Sequence, residues 1–593
     1  MSTTGIISVN GHRILPNTLS GSLDRKASAS VAASLQSLHK SLSNGSKIDY
    51  SKSSDDVSVP KLDALVVGAS WAGIWTLHLL KSQGFNVRLV DMYADLGGSW
   101  FNNRYPGCRV DTEIPLYEYS LPELWKEWNW TERFPSRVEI HNYLMWVTER
   151  LDLRKIMTFD TRISGAKWNE NTHSWTVSSK DGVYCTTRYL LPCTGYSTVR
   201  LFPDIKGISS FPNSFHSSDW PEGSKGAFAN KRVGIVGNAA SGVQIIEAIA
   251  PHVAHLTVFQ RTPNLSTPRR NVQHNSTSMK ELKKSFPHKL ATRTAHTGFS
   301  TKSGIKTFDH TPEQRQDFFE RLWNAGGLAF WLENYDDLIT SRVANAEAYA
   351  FWRAKVLARV ADPAVAAKLA PEKAPHAFGT KRPALEDTYF DLFNQPNVTL
   401  VHLPDDPMME VTPAGVRCAA SGLHALDTLV FATGSDFLVG SMLDMDIRGV
   451  AGVPLAHKWD VRAAGAGVWT QLGLMTAGFP NMLFTMGPQA PSALGFTPHM
   501  AEIQGAWVRD CLVHLREAGM TRIEARVGEE RRWKRVIDEV AARSLLSETD
   551  SWYMGVNIAG RKKQALNYFG GVDKYEEVIG AEAAGGYKGF NIE

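Results

Sequence analysis

Cysteine is scarce in this 593-residue chain. Cys108, Cys185, Cys193, Cys418 and Cys511 lie far apart, and no C-x-x-C pair occurs. Zinc ribbons and dithiol redox centres therefore have no support, a disulfide framework is not expected, and no metal site is predicted. Such sparse usage fits a reducing compartment, the cytoplasm. Long apolar runs are missing as well, and none approaches the roughly 18 residues of a spanning helix. The first residues, MSTTGIISVNGHRILP, lack the charged start and apolar block of a secretory signal. The net charge is +4 without any dense Lys/Arg block, which gives no support to a nucleic-acid partner. Acids are few in residues 1–58, a Ser-rich stretch with one helical-looking patch, ASVAASLQSLHKSL. It reads as a flexible or surface-wrapping N-terminal arm, with a transit peptide as the weaker alternative.

From Leu62 onward the pattern changes. LDALVV is a short apolar run, a Gly-bearing turn comes next, IWTLHLLKSQG reads as a helix, and NVRLVD as a second strand. That order is one βαβ unit of a parallel sheet. It recurs about 170 residues later as KRVGIVG, SGVQIIEAIAPHV and AHLTVFQ. Such a distance suits two separate nucleotide-binding domains rather than a solenoid repeat. Thr311 to Lys368 is helical in tone and reads as an insertion. The expected fold class is α/β, with two Rossmann-like domains on parallel sheets. A discontinuous first domain is expected over 59–205 and 396–593. The second is expected over 206–395, with the helical insertion at about 275–372.

Both glycine turns depart from the G-x-G-x-x-G fingerprint. Ser70 stands between Gly68 and Gly73, and Ala239 between Gly237 and Gly242. The middle glycine lets backbone approach a pyrophosphate, so its loss costs closeness rather than the whole site. The Ser70 hydroxyl is expected to reach a phosphate oxygen in exchange. The residue at the end of each second strand separates the two sites. Asp91, 18 residues past Gly73, suits the 2′-hydroxyl of an adenosine ribose. Arg261, 19 residues past Gly242, suits a 2′-phosphate. One site therefore reads as FAD or NAD and the other as NADP, as in a flavoprotein reductase or monooxygenase. CTGYST (193–198) and FATGSD (431–436) read as turns where the chain crosses between the two domains.

With GGSWFNNRYPGCRVD (97–111), FPNSFHSSDWP (211–221), VFQRTPN (258–264), GTKRPALEDTYFDLFNQPNV (379–398), FATGSD and DSWYMGVNIAG (550–560), the chain resembles the Baeyer–Villiger monooxygenases. The resemblance spans nearly everything from Leu62 to the C-terminus, in the family's order. It implies an FAD- and NADPH-dependent enzyme that turns a ketone into an ester or lactone with O2. In that chemistry a flavin C4a-peroxide attacks the carbonyl as an anion.

The same resemblance implies residue roles. Gly98, Ser99, Trp100, Phe101 and Asn102 match the flavin-contacting stretch, and Asp111, Thr112 and Tyr117 match positions near the isoalloxazine. Arg109 and Val110 lie beside the nicotinamide. Gly237, Asn238, Ala239, Ala240, Ser241, Gly242 and Val243 match the NADP phosphate loop. Arg261, Thr262 and Lys381 match a 2′-phosphate clamp, and Trp552 matches a tryptophan that closes over NADP. Arg382 faces the flavin, where a permanently charged guanidinium stabilises developing oxyanions, and Asp111 orients it. His216 and Trp220 fall in the interdomain linker, where a hinge role for His216 is preferred over proton transfer. Trp71 reads as packing.

This chain also departs from the family pattern. The linker has Asn213 in place of a glycine and is one residue shorter, and W-Y-W becomes Trp100-Phe101-Asn102. The expected substrate is a bulky cyclic ketone of polyketide or terpenoid type, as in fungal secondary metabolism. Two alternatives stand beside this reading. One is a flavin monooxygenase oxidising nitrogen or sulfur, toward which the serine after His216 leans. The other is a flavin-binding protein without oxygenation.

Overall fold

The computed structural model describes residues 59–223, 228–293 and 303–593, together with two two-residue strands in the N-terminal arm. Those strands, Ser8–Val9 and His12–Arg13, pair antiparallel. The rest of the arm, including its helical-looking patch, lies outside the described residues.

Two sheets organise Val59–Glu593. The larger has seven strands, and its centre repeats the expected strand–turn–helix–strand order. Lys61–Val67 leads through the helix Trp71–Ser82 to Val87–Val90, and the two strands pair in parallel with Val66 opposite Leu89. Gly182–Pro192 adds in parallel on the other side. An antiparallel meander of Ile163–Asn169 and Ser174–Ser179 extends the sheet beyond it. The smaller sheet has five strands, all parallel: Val398–His402, His255–Gln260, Arg232–Val236, Thr428–Phe431 and Ser214–His216, in that order. Arg232–Val236 and His255–Gln260 are buried along almost their whole length, as parallel strands covered on both faces require.

The expected return to the first domain at residue 396 does not match this pairing. Val398–His402 and Thr428–Phe431 hydrogen bond into the five-stranded sheet, so the chain leaves that sheet only after Phe431. The helical insertion contains Ser276–Lys284, Pro312–Ala325, Arg342–Leu357 and Pro363–Leu369. Its starts are written in the sequence. Thr311 accepts from Gln314 N ahead of Pro312, and Asn275, Ser341 and Asp362 cap the other three helices. No helix among the described residues is long and apolar enough to cross a membrane.

Candidate functional site

The two glycine turns have the same construction. Gly68 has φ of 112°, and a Cβ there would lie 2.4 Å from the Cys193 carbonyl oxygen. A Cβ on Gly73 would lie 1.8 Å from Gly68 O, and one on Gly242 would lie 2.3 Å from Gly237 O. These contacts clamp each helix onto its strand, so the outer glycines are fixed by space. The middle positions are different. Ser70 and Ala239 are the helix N-cap residues, with extended φ values of −117° and −75° that any residue adopts. Neither side chain accepts from its own helix's first N–H groups, and neither helix has an acid in its first turn. Each helix start therefore keeps its N–H groups and positive end for an anion, which is the fit a dinucleotide pyrophosphate needs.

At the first turn, Ser70 and Asp91 both have partners within the chain. The Ser70 hydroxyl donates to Gly97 O at 3.1 Å, so its proton ties the loop to the Gly97–Gly98 turn rather than to a phosphate. Asp91 is buried, and its oxygens accept from Ala69 N at 2.6 Å and Tyr93 N at 2.8 Å. Its carboxylate therefore pins the turn itself. Burial raises its pKa to about 6, against the pull of those backbone N–H groups.

Around the second turn, Asn238 Nδ2 donates to Gln260 Oε1 at 2.8 Å. Tyr105 OH donates to Gln244 Oε1 at 3.1 Å and receives the Ser241 hydroxyl at 3.2 Å. Gln244 Nε2 in turn donates to Arg109 O at 3.1 Å. The sequence offers no signal for this bridge from the second helix to the 97–111 stretch. Arg109 Nη1 pairs with Glu132 at 2.5 Å, and Val110 is buried. Thr262 and Lys381 line one cleft of about 820 Å³ with Arg342, Arg353 and His376. Lys381 titrates low because of burial and the nearby Arg261 charge, opposed by Asp550. Lys381 and Arg261 repel one another there, while Glu372, Glu548 and Asp550 also line the cleft and Arg342 pairs with Glu548.

Arg382 and Asp111 meet across 271 positions of sequence. Nε donates to Oδ2 at 2.6 Å and Nη2 to Oδ1 at 2.8 Å, a two-pronged pair. Nη1 donates to the Ala493 carbonyl at 3.0 Å, and the guanidinium lies 5.9 Å from the Trp331 ring centre. Burial disfavours the Arg382 charge, but Asp111 more than offsets this and holds the group above its ordinary range. Sequence reasoning missed both Ala493 and Trp331. Trp100 Nε1 donates to Tyr117 OH at 3.0 Å, Ser99 Oγ lies 3.2 Å from Ser197 Oγ, and Thr112 is buried beside Asp111. Trp552 stacks on Phe437 at 4.6 Å and on Tyr196 at 6.3 Å.

The linker joins both crossing turns. Gly434 O accepts from Leu201 N at 3.0 Å, and Asp436 N donates to Val199 O at 2.8 Å. His216 Nε2 lies 3.0 Å from Gly434 O, while its Nδ1 accepts from Ser218 N at 3.2 Å. Both ring nitrogens are therefore committed, and burial lowers the pKa to about 4. No lone pair is left for general-base work. Asn102 Nδ2 reaches Ser218 O at 2.9 Å, and Trp220 packs edge-on against Phe215 at 5.1 Å. Arg561, which sequence reasoning missed, forms a two-pronged pair with Asp436.

The chain matches known proteins over most of its length. A model of the L-lysine 6-monooxygenase/L-ornithine 5-monooxygenase family matches residues 123–323, and one of the NAD(P)-binding Rossmann-like domain matches residues 66–128. Cyclopentanone 1,2-monooxygenase of Comamonas sp. is 38% identical over 535 residues, covering 90% of this chain and 96% of that protein. A Baeyer–Villiger monooxygenase of Pseudooceanicola batsensis is 36% identical, covering 88% of this chain and 95% of its own length. The crystal structure of OTEMO in complex with FAD and NADP superposes with a TM-score of 0.85 at 35% identity, over 90% of this chain and all of that one.

Proposed function

The chain belongs to the Baeyer–Villiger monooxygenases, and we propose from that membership that it binds FAD and NADPH and converts a cyclic ketone into a lactone with O2. The observation that carries the proposal is the Arg382–Asp111 pair, held at 2.6 and 2.8 Å. FAD is assigned to the seven-stranded sheet, with Gly68, Ser70, Gly73, Asp91, Gly98, Ser99, Trp100, Phe101, Asn102, Asp111, Thr112 and Tyr117 around it. NADP is assigned to the five-stranded sheet, with Gly237 to Val243, Arg261, Thr262, Lys381 and Trp552, and with Arg109 and Val110 toward the nicotinamide. The boundary between the two domains is placed after Phe431.

Bound FAD would supply the acceptor for the NADPH hydride and the activation of O2. Arg382 does the protein's part of the chemistry. Its fixed positive charge stabilises negative oxygen as it develops on the attacking group and on the carbonyl. Asp111 and the Ala493 carbonyl hold the guanidinium plane, so no reorganisation is needed during the reaction. An electrophilic oxygen transfer to nitrogen or sulfur needs no such cation, so the pair favours ketone oxidation over that alternative. His216 fixes the linker to the crossing turns, in a hinge role. The cysteines are all buried and free, which supports a reducing compartment, the cytoplasm. A bulky polyketide or terpenoid ketone is the proposed substrate class.

Turnover with isotopically labelled O2 on a panel of cyclic ketones tests this reading. One labelled oxygen in the lactone ring is expected. A labelled N-oxide or sulfoxide, or hydrogen peroxide alone, would contradict it.

A further inference from the structure

Two aromatic clusters of the molecule differ in composition. The cluster in the helical insertion is mostly phenylalanine: Phe318, Phe319, Phe330 and Phe351 around Tyr335. The cluster behind the first glycine turn is built from tryptophan and tyrosine, with no phenylalanine along the path that follows. From Trp100, ring centres step 5.7 Å to Tyr117, then 5.0 Å to Trp71. They continue 5.6 Å to Tyr143, 4.8 Å to Trp130, 5.7 Å to Trp128 and 5.4 Å to Trp146. Tyr143 also touches Tyr119, Trp128 and Trp146. Among the ring contacts of the described residues, every route from Trp71 to Trp130 passes through Tyr143. Trp71, Tyr143 and Trp130 are fully buried, whereas Trp128 and Trp146 retain exposure.

Packing alone does not select these residue types. Phenylalanine fills space without a polar atom to satisfy, yet the indole N–H groups of Trp71 and Trp128 make no hydrogen bond. Tryptophan and tyrosine share an ease of one-electron oxidation that phenylalanine lacks. Glu118 is fully buried beside Trp130, whose indole acts on it as a hydrogen-bond donor. Burial pushes its pKa up to about 8, against the pull of that bond and of Lys283, so near neutral pH it is protonated and adds no charge to the cluster.

We propose that Trp100, Tyr117, Trp71, Tyr143, Trp130, Trp128 and Trp146 form a one-electron relay that carries an oxidising equivalent from the flavin pocket to the protein surface. The relay rests on the assignment of Trp100 and Tyr117 to that pocket. The oxidant is either the photoexcited oxidised flavin or a strongly oxidising oxygen species left by a misfired turnover. It takes one electron from Trp100 or Tyr117 and is reduced by one electron. Each ring is refilled by its outer neighbour until the vacancy reaches Trp146. A dissolved thiol returns one electron there and is itself oxidised. At Tyr117 and Tyr143 the phenol gives up its O–H proton on oxidation and regains it when the ring is refilled, so no bond of the chain is lost over the whole transfer.

Anaerobic flash excitation of the flavin-loaded enzyme, followed by transient absorption of oxidised indole, tests the relay. A long-lived signal is expected in the native protein, because the vacancy ends far from the reduced flavin. In Tyr143→Phe with unchanged flavin content, that signal is expected to be lost to rapid return from Trp71. Phe319→Leu, in the other cluster, should leave it intact. Equal decay in the native protein and Tyr143→Phe, at equal flavin content, would overturn the relay. A purified protein without flavin would instead overturn the pocket assignment, and the relay with it.

Discussion

The two strand–turn–helix units begin alike and end differently. Both clamp helix to strand through outer glycines, and both put a small, uncapped residue, Ser70 or Ala239, at the helix start. The turn itself therefore recognises only an anion. The two units differ at the end of the second strand. Asp91 is buried and turned back onto its own loop, whereas Arg261 is exposed and its charge reaches Lys381. One unit uses its terminal residue for rigidity, and the other is proposed to use its own for a ligand charge.

The largest effect expected is a separation of the two sites by equivalent substitutions. Gly73→Ala drives a Cβ into Gly68 O, and Gly242→Ala drives one into Gly237 O. The first should give a protein without flavin. The second should keep its flavin, read by absorbance, but no longer be reduced by NADPH. If the second also loses flavin, the two sites are not independent.

Arg261→Ala sharpens the same contrast. Losing charge-assisted bonds to a phosphate should cost NADPH roughly tenfold to a hundredfold in kcat/KM while NADH changes little. The smallest effect concerns Asp91. Its pKa is raised from 3.8 to about 6 in the folded protein, so its protonated form is favoured there. That contribution is complete below about pH 4 and is lost as pH rises through about 6. Asp91→Asn should remove this fall, so the difference between native and variant melting temperatures should change across that window and level off above it.

Much of this is legible in the sequence alone. Apolar runs bounded by Gly68 and Gly237 mark strands, and the order of elements marks parallel sheets. The partner of a parallel strand is less legible, because pairing is long-range and leaves no local trace. Val398–His402 reads as a strand in either sheet, which is why the sequence suggests too early a return to the first domain. Ser70 and Asp91 look ligand-facing in sequence, because a motif does not reveal which side chains hold the loop that presents it. Ala493 contributes only a carbonyl, for which no residue type is a signal. The pairing of Arg382 with Asp111 is legible only through family resemblance, since nothing local to 379–383 points to residue 111.

The measurement that bears most directly on the account is the product balance of Arg382→Ala. Anaerobic reduction of its flavin by NADPH should proceed, because the NADP clamp is intact. Lactone per NADPH consumed should fall about a hundredfold to a thousandfold, with hydrogen peroxide making up the difference. Native lactone yield from this variant would contradict the assignment of the chemistry to Arg382.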